Sequence, residues 1–450
     1  MNPLLTLSCP LRLPWPTLAP RYWVMAGQAV VSGTSFLTNI FIAKLCGLAV
    51  FGEYSAWQLV LLLALALQGA VITQPMQVVL GTLPAGRRVA YGQLVLGGQV
   101  LFSALAVLAT ALGARLLPQA ATVLPAFVVL LAAAGGQDTL RKLLLAEGKV
   151  QAALASDVLS AGGQLLVLLV LALRPAPATL AEVMWVVGLT TVPALLVGGG
   201  ALGALPSLAG WRRFGRRHWR QARWLVPTAG LQWASANVLL VFAGWVGSPV
   251  MLGVLRLAQT AMGVFNLGLQ TVENYALPRL SASFHQNSAQ FARQRAALGR
   301  KMMLAAGPLL ALLALAAGWL LARFGPAGGT EYAGILRWCC ALYVVILLVY
   351  PLRLTVRLLG DSRQYFAGYV LSIAASLASV RWLTEHYQAS GVVLGWLLAQ
   401  LVLGLYWGVA VRRAGRTNKK ERHAELAEAS RSLTNPIVQR FTQDASASSA

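Results

Sequence analysis

Arg256, Gln259, Gly263, Asn266, Gln270 and Glu273 recur at steps of three and four through a stretch otherwise rich in Leu, Val and Ala. At 100° per residue the six fall within an arc of about 100°, one face of one helix. Such side chains are costly in hydrocarbon and are kept where they face a bundle interior or a watery cavity. A guanidinium among primary amides suits a phosphate or pyrophosphate, because its planar donors match the oxygens of the anion. The alternative for Arg256 is a side chain that snorkels to the external interface. Glu273, toward the other end of the stripe, either couples movement to a proton or sodium ion or pairs with Arg279 at the boundary.

Shorter polar stripes accompany this one. The first apolar stretch carries Gln28, Ser32, Ser35 and Asn39, the second Gln58 and Gln68, and the seventh Thr228, Gln232 and Ser235. Ser and Thr at such positions commonly join helices by hydrogen bonds, whereas long amides stacked with an Arg and a Glu favour a lined cavity. The candidate substrate cavity is therefore Gln28, Ser32, Ser35, Asn39, Gln58, Gln68, Gln232, Arg256, Gln259, Asn266 and Gln270. Asp138, Arg141 and Lys142 sit low in the fourth stretch. Asp138 and Arg141, three apart, are expected to pair on one helix face, and Asp138 is a second candidate for ion coupling. Arg141, Arg353 and Arg357 are candidates for attracting an anionic headgroup from the cytoplasmic side.

The elements that must position these residues are membrane helices. Of 450 residues 58% are hydrophobic and 11% charged, against about 25% charged in soluble domains. Apolar runs of about 20 residues, each able to cross the ~30 Å hydrocarbon core, fall at 22–45, 55–80, 91–114, 122–145, 155–174, 180–204, 223–247, 250–276, 302–323, 333–356, 364–384 and 390–411. The expected architecture is an all-α polytopic membrane protein with about 12 transmembrane helices in two pseudo-symmetric six-helix lobes around a central cavity. Residues 1–21 form a cytoplasmic N-terminal segment, 22–204 the first lobe, 205–222 a basic cytoplasmic linker, 223–411 the second lobe, and 412–450 a disordered cytoplasmic tail. Helices 3–6 and 9–12, more uniformly apolar, are expected to form the lipid-facing shell.

The net charge of +23 is explained by its placement. With the N-terminus inside, only Lys44, Arg115, Arg174, Arg323, Arg337 and Arg381 fall on external segments and Arg256 within a helix. The remaining Lys and Arg are cytoplasmic, as the positive-inside rule requires. The run Trp211-Arg-Arg-Phe-Gly-Arg-Arg-His-Trp-Arg220 is accordingly read as a topology signal that touches anionic lipid, not as a nucleic-acid site.

The two lobes look related. Gln28, Ser32, Ser35 and Gly47 correspond to Thr228, Gln232, Ser235 and Gly247. Gly52, Gln58, Gln68 and Pro75 correspond to Gly253, Gln259, Gln270 and Pro278. A repeat of this kind puts a substrate site where the lobes meet. The four cysteines and four histidines have no metal spacing, so no metal or cofactor is expected. Gly198-Gly-Gly-Ala-Leu-Gly203 matches G-x-G-x-x-G but ends an apolar helix, and its glycines are read as packing residues. No P-loop sequence is present.

The runs Gly27-Gln-Ala-Val-Val-Ser-Gly-Thr-Ser-Phe-Leu-Thr-Asn39, Ala43-Lys-Leu-Cys-Gly47 and Phe51-Gly-Glu-Tyr54 resemble the opening helix pair of bacterial polysaccharide flippases. Gly253-Val-Leu-Arg-Leu-Ala-Gln259 through Gln270-Thr-Val-Glu-Asn-Tyr275 resembles their eighth helix. These are Wzx-type members of the multidrug/oligosaccharidyl-lipid/polysaccharide (MOP) exporter superfamily. The resemblance implies alternating access in the bacterial inner membrane, with helices one, two, seven and eight lining the cavity. It also implies a lipid-linked oligosaccharide as cargo, carried on undecaprenyl pyrophosphate, with polysaccharide polymerase or assembly proteins as partners. Arg256 matches a position that is Arg in many relatives. Two rivals stay open: a cation-coupled drug antiporter of the same fold, and a membrane polysaccharide polymerase or ligase. The first would favour acidic linings, and the second a large external catalytic loop.

Overall fold

A computed structural model describes residues 19–115, 120–286, 288–325, 329–358 and 362–433. Every long element among them is helical: α1 (Pro20–Gln68), α2 (Gln74–Thr82), α3 (Ala85–Ala114), α4 (Leu124–Ala146), α5 (Val150–Ala172), α6 (Leu180–Leu189), α7 (Val192–Leu202), α8 (Trp211–Val246), α9 (Pro249–Gln286), α10 (Ser288–Phe324), α11 (Ala333–Leu358) and α12 (Ser362–Leu433). Among the described residues, nine helical stretches are long and apolar enough to cross a membrane.

Two of these stretches are double length and are broken once. In α1 the break is Gly47, at φ 79° and ψ 170°, a backbone conformation glycine adopts without steric cost. In α12 it is Gln388, at φ 49° and ψ −128°. Adding α4, whose 23 residues span about 35 Å, every one of the twelve expected spans falls on a helix. The fifth and sixth spans are punctuated as their sequences suggest. Gly148, at φ 78°, turns α4 back into α5. The Thr179 hydroxyl accepts from the Glu182 N–H while the Glu182 carboxylate accepts from the Thr179 N–H, a capping box that starts α6. α12 runs on to Leu433, so the segment expected to be disordered is helical that far; 434–450 lie outside the described residues.

Between α1 and α2, Gly69–Thr73 form one π-helical turn. Pro75 follows and has no N–H for the carbonyl four residues earlier, that of Val71. The His218 ring fills this role: its Nδ1 lies 3.3 Å from the Val71 oxygen. Its Nε2 lies 2.7 Å from the Tyr91 hydroxyl, which fixes the tautomer with the proton on Nδ1 if the phenol donates.

The chain divides into two compact units. The first holds Met1–Gly268, Pro308–Tyr343 and Ser376–Trp396. Its core has two centres. Ile42, Phe51 and Tyr54 of α1 pack on Phe127, Leu130 and Leu131 of α4 and on Val183 and Met184 of α6. Met76, Val79 and Leu80 of α2 pack on Tyr91 and Val95 of α3 and on Leu140, Leu143 and Leu144 of α4. A Cβ on Gly198 would stand 2.6 Å from Leu140 Cδ2, so that glycine serves close packing, whereas a Cβ on Gly199, Gly200 or Gly203 would meet nothing within 4 Å. The second unit holds Leu269–Gly307, Val344–Ala375 and Leu397–Ala450. In it Val349 and Val356 of α11 pack on Leu403 and Trp407 of α12, with Tyr365 stacked 5.5 Å from the Trp407 ring. Leu105, Leu108 and Leu112 on α3 and Leu312, Leu315 and Trp319 on α10 are exposed, as lipid-facing residues are where no water drives burial.

Candidate functional site

The first unit brings three polar clusters together, and the repeat-related residues meet in one of them. A Cβ on Gly52 would collide with the Pro249 carbonyl. One on Gly253 would collide with the Leu48 carbonyl and lie 3.2 Å from the Gly52 nitrogen. Only hydrogen side chains permit this crossing of α1 and α9, and the two glycines are ones that the sequence comparison of the halves aligns. Gly47 and Gly247 break their helices at equivalent points just before it.

One to two turns beyond the crossing, Arg256 Nη1 donates to Gln259 Oε1 at 3.0 Å and Nη2 to Gln58 Oε1 at 3.4 Å. Gln58 and Gln259 are again repeat counterparts. Gln58 Nε2 in turn donates to the Tyr54 hydroxyl at 3.0 Å. Thr260 Oγ1 donates to the Arg256 carbonyl at 2.9 Å and accepts from Asn39 Nδ2 at 3.2 Å. Arg256 Nε and Asn39 Oδ1 are buried without a hydrogen-bond partner. Among the described residues Arg256 has no carboxylate partner. A half-buried cation solvated only by neutral amides, with its buried Nε left over, is arranged for an incoming anion, since an orphaned buried donor costs about 1–3 kcal/mol.

The second cluster surrounds Gln68, which is 1% exposed. Gln68 Nε2 donates to the Gly135 carbonyl at 3.0 Å and Thr139 Oγ1 at 2.9 Å, and Gln99 Nε2 donates to Gln68 Oε1 at 3.3 Å. Thr139 closes the ring by donating to Gln99 Oε1 at 2.8 Å. A Cβ on Gly135 would come within 2.7 Å of Gln68 Oε1 and 2.9 Å of Gln99 Nε2, so that glycine makes the room for both amides.

The third cluster corrects an expected pairing. Asp138 pairs with Lys142, one turn on, at 2.7 Å. Arg141 instead reaches Asp157 on α5, Nε to Oδ2 at 2.7 Å, with side chains 19% and 3% exposed. Its Nη2 lies 3.4 Å from Gln28 Oε1, and Gln28 also donates to Ser32 at 3.3 Å. Gln137 Nε2 donates to Ser156 at 2.9 Å. Gly27 stands against the ion pair, its place for a Cβ 3.4 Å from Asp157 Oδ2. Gln164 on α5 donates to Thr38.

Of the other expected residues, Ser35, Gln232 and Asn266 are exposed, and Asn266 is hydrogen-bonded to the Tyr343 hydroxyl. Arg353 and Arg357 lie on α11 in the second unit, with the Arg353 guanidinium 5.7 Å from the Tyr350 ring centroid. The side chains of Gln270 and Glu273 lie outside the described residues. Sequence reasoning missed Gln99, Gln137, Thr139, Ser156, Asp157 and Gln164, all on helices assigned to the outer shell. The spacing of Ser156, Ser160 and Gln164 at steps of four, with Asp157 beside them, was the available signal. No group of His, Cys, Asp and Glu among the described residues has the arrangement to hold a metal ion.

No protein-family model matches the chain, and no curated protein sequence does. Solved structures do. The chain superposes on the lipid II flippase MurJ in an inward closed conformation with a TM-score of 0.66, 10% identity and 87% of each chain covered. It superposes on an inward-facing multidrug resistance MATE family transporter of the MOP superfamily with a TM-score of 0.68 and 13% identity, over 90% of this chain and 99% of that one. A MOP superfamily transporter from Pyrococcus furiosus, described by the reverse polarity of its binding pocket, gives a TM-score of 0.54 at 13% identity, over 87% and 94%. The chain is therefore an all-helical, multi-pass membrane protein with the fold of the MOP-superfamily flippases and transporters.

Proposed function

We propose that this protein is an inner-membrane flippase. It moves a polyprenyl-pyrophosphate-linked oligosaccharide from the cytoplasmic to the external leaflet by alternating access, for the assembly of a cell-surface polysaccharide. The observation that carries this reading is Arg256, a guanidinium inside the membrane solvated by Gln58 and Gln259 and with no carboxylate beside it among the described residues. A pyrophosphate cannot cross hydrocarbon bare, and a site that replaces its hydration must supply fixed donors. Polar side chains farther along the same faces, Ser35, Gln232 and Asn266, are exposed and suit a hydroxyl-rich headgroup. The polyprenyl tail stays in apolar surroundings throughout, and assembly enzymes that polymerise the exported unit are the expected partners. The termini and the basic segments face the cytoplasm in this reading.

A drug–cation antiporter shares the fold, as the MATE neighbours do, but a cationic substrate favours an acidic and aromatic lining, and Arg256 gives this lining positive charge. The test is reconstitution. Proteoliposomes carrying a fluorescent polyprenyl-pyrophosphate oligosaccharide should expose the headgroup to a membrane-impermeant quencher or lectin only when the protein is present. The same vesicles should not accumulate an organic cation. Cation export without headgroup movement overturns the flippase reading.

A further inference from the structure

α9 has two faces with different chemistry. Around its axis the polar residues from Arg256 to Glu273 occupy one arc. Val254, Leu257, Ala258, Ala261 and Val264 occupy a second arc of about 120°. These apolar residues line a groove of about 480 Å³, walled on the other sides by Phe36, Leu37 and Ile40 of α1 and by residues of α10 and α11. Thr260 is the single hydrogen-bonding side chain on its α9 wall, and it marks the boundary: it lines the groove, donates to the Arg256 carbonyl and accepts from Asn39. It lies one turn from Arg256 and about 40° around the helix, so groove and guanidinium adjoin.

We infer that this groove holds the hydrocarbon chain of the transported lipid while its phosphate engages Arg256. The inference rests on the flippase reading and adds where the tail runs. The volume lies within the ~300–1,000 Å³ of ligand pockets, and apart from Thr260 and Tyr332 the lining offers a chain only dispersion contacts, which an unfilled groove forfeits. The occupant follows from depth. Arg256 lies about 10 Å along α9 from its first residue, Pro249. A resident phospholipid keeps its phosphate at the interface and cannot bring it to Arg256. A lipid whose phosphate has reached Arg256 has its chain beginning beside Thr260, at the mouth of the groove.

The experiment uses two diazirine-bearing probes in proteoliposomes: a polyprenyl phosphate and the uncharged polyprenol of the same chain. Cross-links are mapped by mass spectrometry. Both probes should label groove residues of α1 and α9, and Ala261→Phe, which fills the groove, should lower both labels about tenfold, the equivalent of 1.4 kcal/mol. Leu309→Phe, at an exposed position outside the groove, should leave both unchanged and controls for folding and for unspecific lipid contact. Arg256→Gln should lower the phosphate probe's label and spare the polyprenol's. If Arg256→Gln spares both labels while Ala261→Phe lowers both, the groove stands and the anion role of Arg256 fails. If labelling spreads evenly over the exposed leucines of α3 and α10, or excess phosphatidylglycerol displaces both probes, the groove is ordinary lipid contact and the inference is overturned.

Discussion

Replacing Asp157 is the most informative structural perturbation, because the consequence can be worked from the geometry. Its carboxylate is 3% exposed and accepts from Arg141 Nε at 2.7 Å, with Gln137 Nε2 at 3.5 Å from the other oxygen. Removing one member of a buried ion pair costs about 3–5 kcal/mol, because the survivor is left as an uncompensated charge. Arg141 keeps a fifth of its side chain exposed and still reaches Gln28 at 3.4 Å. The expected cost of Asp157→Asn therefore falls below that range, at about 2–3 kcal/mol. A plain interhelical hydrogen bond in a membrane averages about 0.6 kcal/mol, well below that. The double variant Arg141→Met/Asp157→Leu removes both charges and should recover to within about 1 kcal/mol of wild type. Equilibrium unfolding in mixed micelles, run as a double-mutant cycle, measures both. The reasoning is refuted if Asp157→Asn costs less than a plain hydrogen bond, or if the double variant loses the sum of the two singles.

Three further outcomes follow from the packing. Gly52→Ala and Gly253→Ala should each destabilise by about 1–3 kcal/mol through overpacking of the α1–α9 crossing, whereas Ala at Gly263, where a Cβ meets nothing within 4 Å, should be tolerated; melting temperatures in detergent distinguish them. Gly135→Ala should push the Gln68 and Gln99 amides out of their ring and cost about 1–3 kcal/mol for the hydrogen bonds lost, read by the same unfolding assay. His218→Ala should cost a similar 1–3 kcal/mol by stripping a partner from the Val71 carbonyl and the Tyr91 hydroxyl, and increased hydrogen exchange in the Gly69–Thr73 turn would report it.

The helices and the Arg256 face were legible because both rest on short-range periodicity. The twelve apolar runs and the three-and-four spacing from Arg256 to Gln259 are properties of single helices, and the structure keeps them. The expected repeat paired Gln58 with Gln259, and both reach the same guanidinium. The Arg141–Asp157 pair was not legible. A rule for neighbours on one helix put Arg141 with Asp138. The true partner lies on the next helix and is brought opposite only when Gly148 turns α4 back on α5. The Gln68–Gln99–Thr139 ring is hidden for the same reason, since each helix contributes one or two polar residues to it. The break at Gln388 was legible in outline, since it falls between the expected spans 364–384 and 390–411, although the residue that breaks the helix is neither glycine nor proline.

The central claim is that Arg256 receives the anionic group of a lipid cargo. The direct measurement is the initial rate of headgroup translocation in proteoliposomes for wild type, Arg256→Lys and Arg256→Gln, each first shown to fold by its melting transition. Charge-assisted hydrogen bonds contribute about 1.5–3 kcal/mol. Arg256→Gln should therefore slow translocation of the pyrophosphate-linked oligosaccharide by about 10- to 100-fold, with Arg256→Lys between it and wild type. A folded Arg256→Gln protein that moves the headgroup at the wild-type rate contradicts the account.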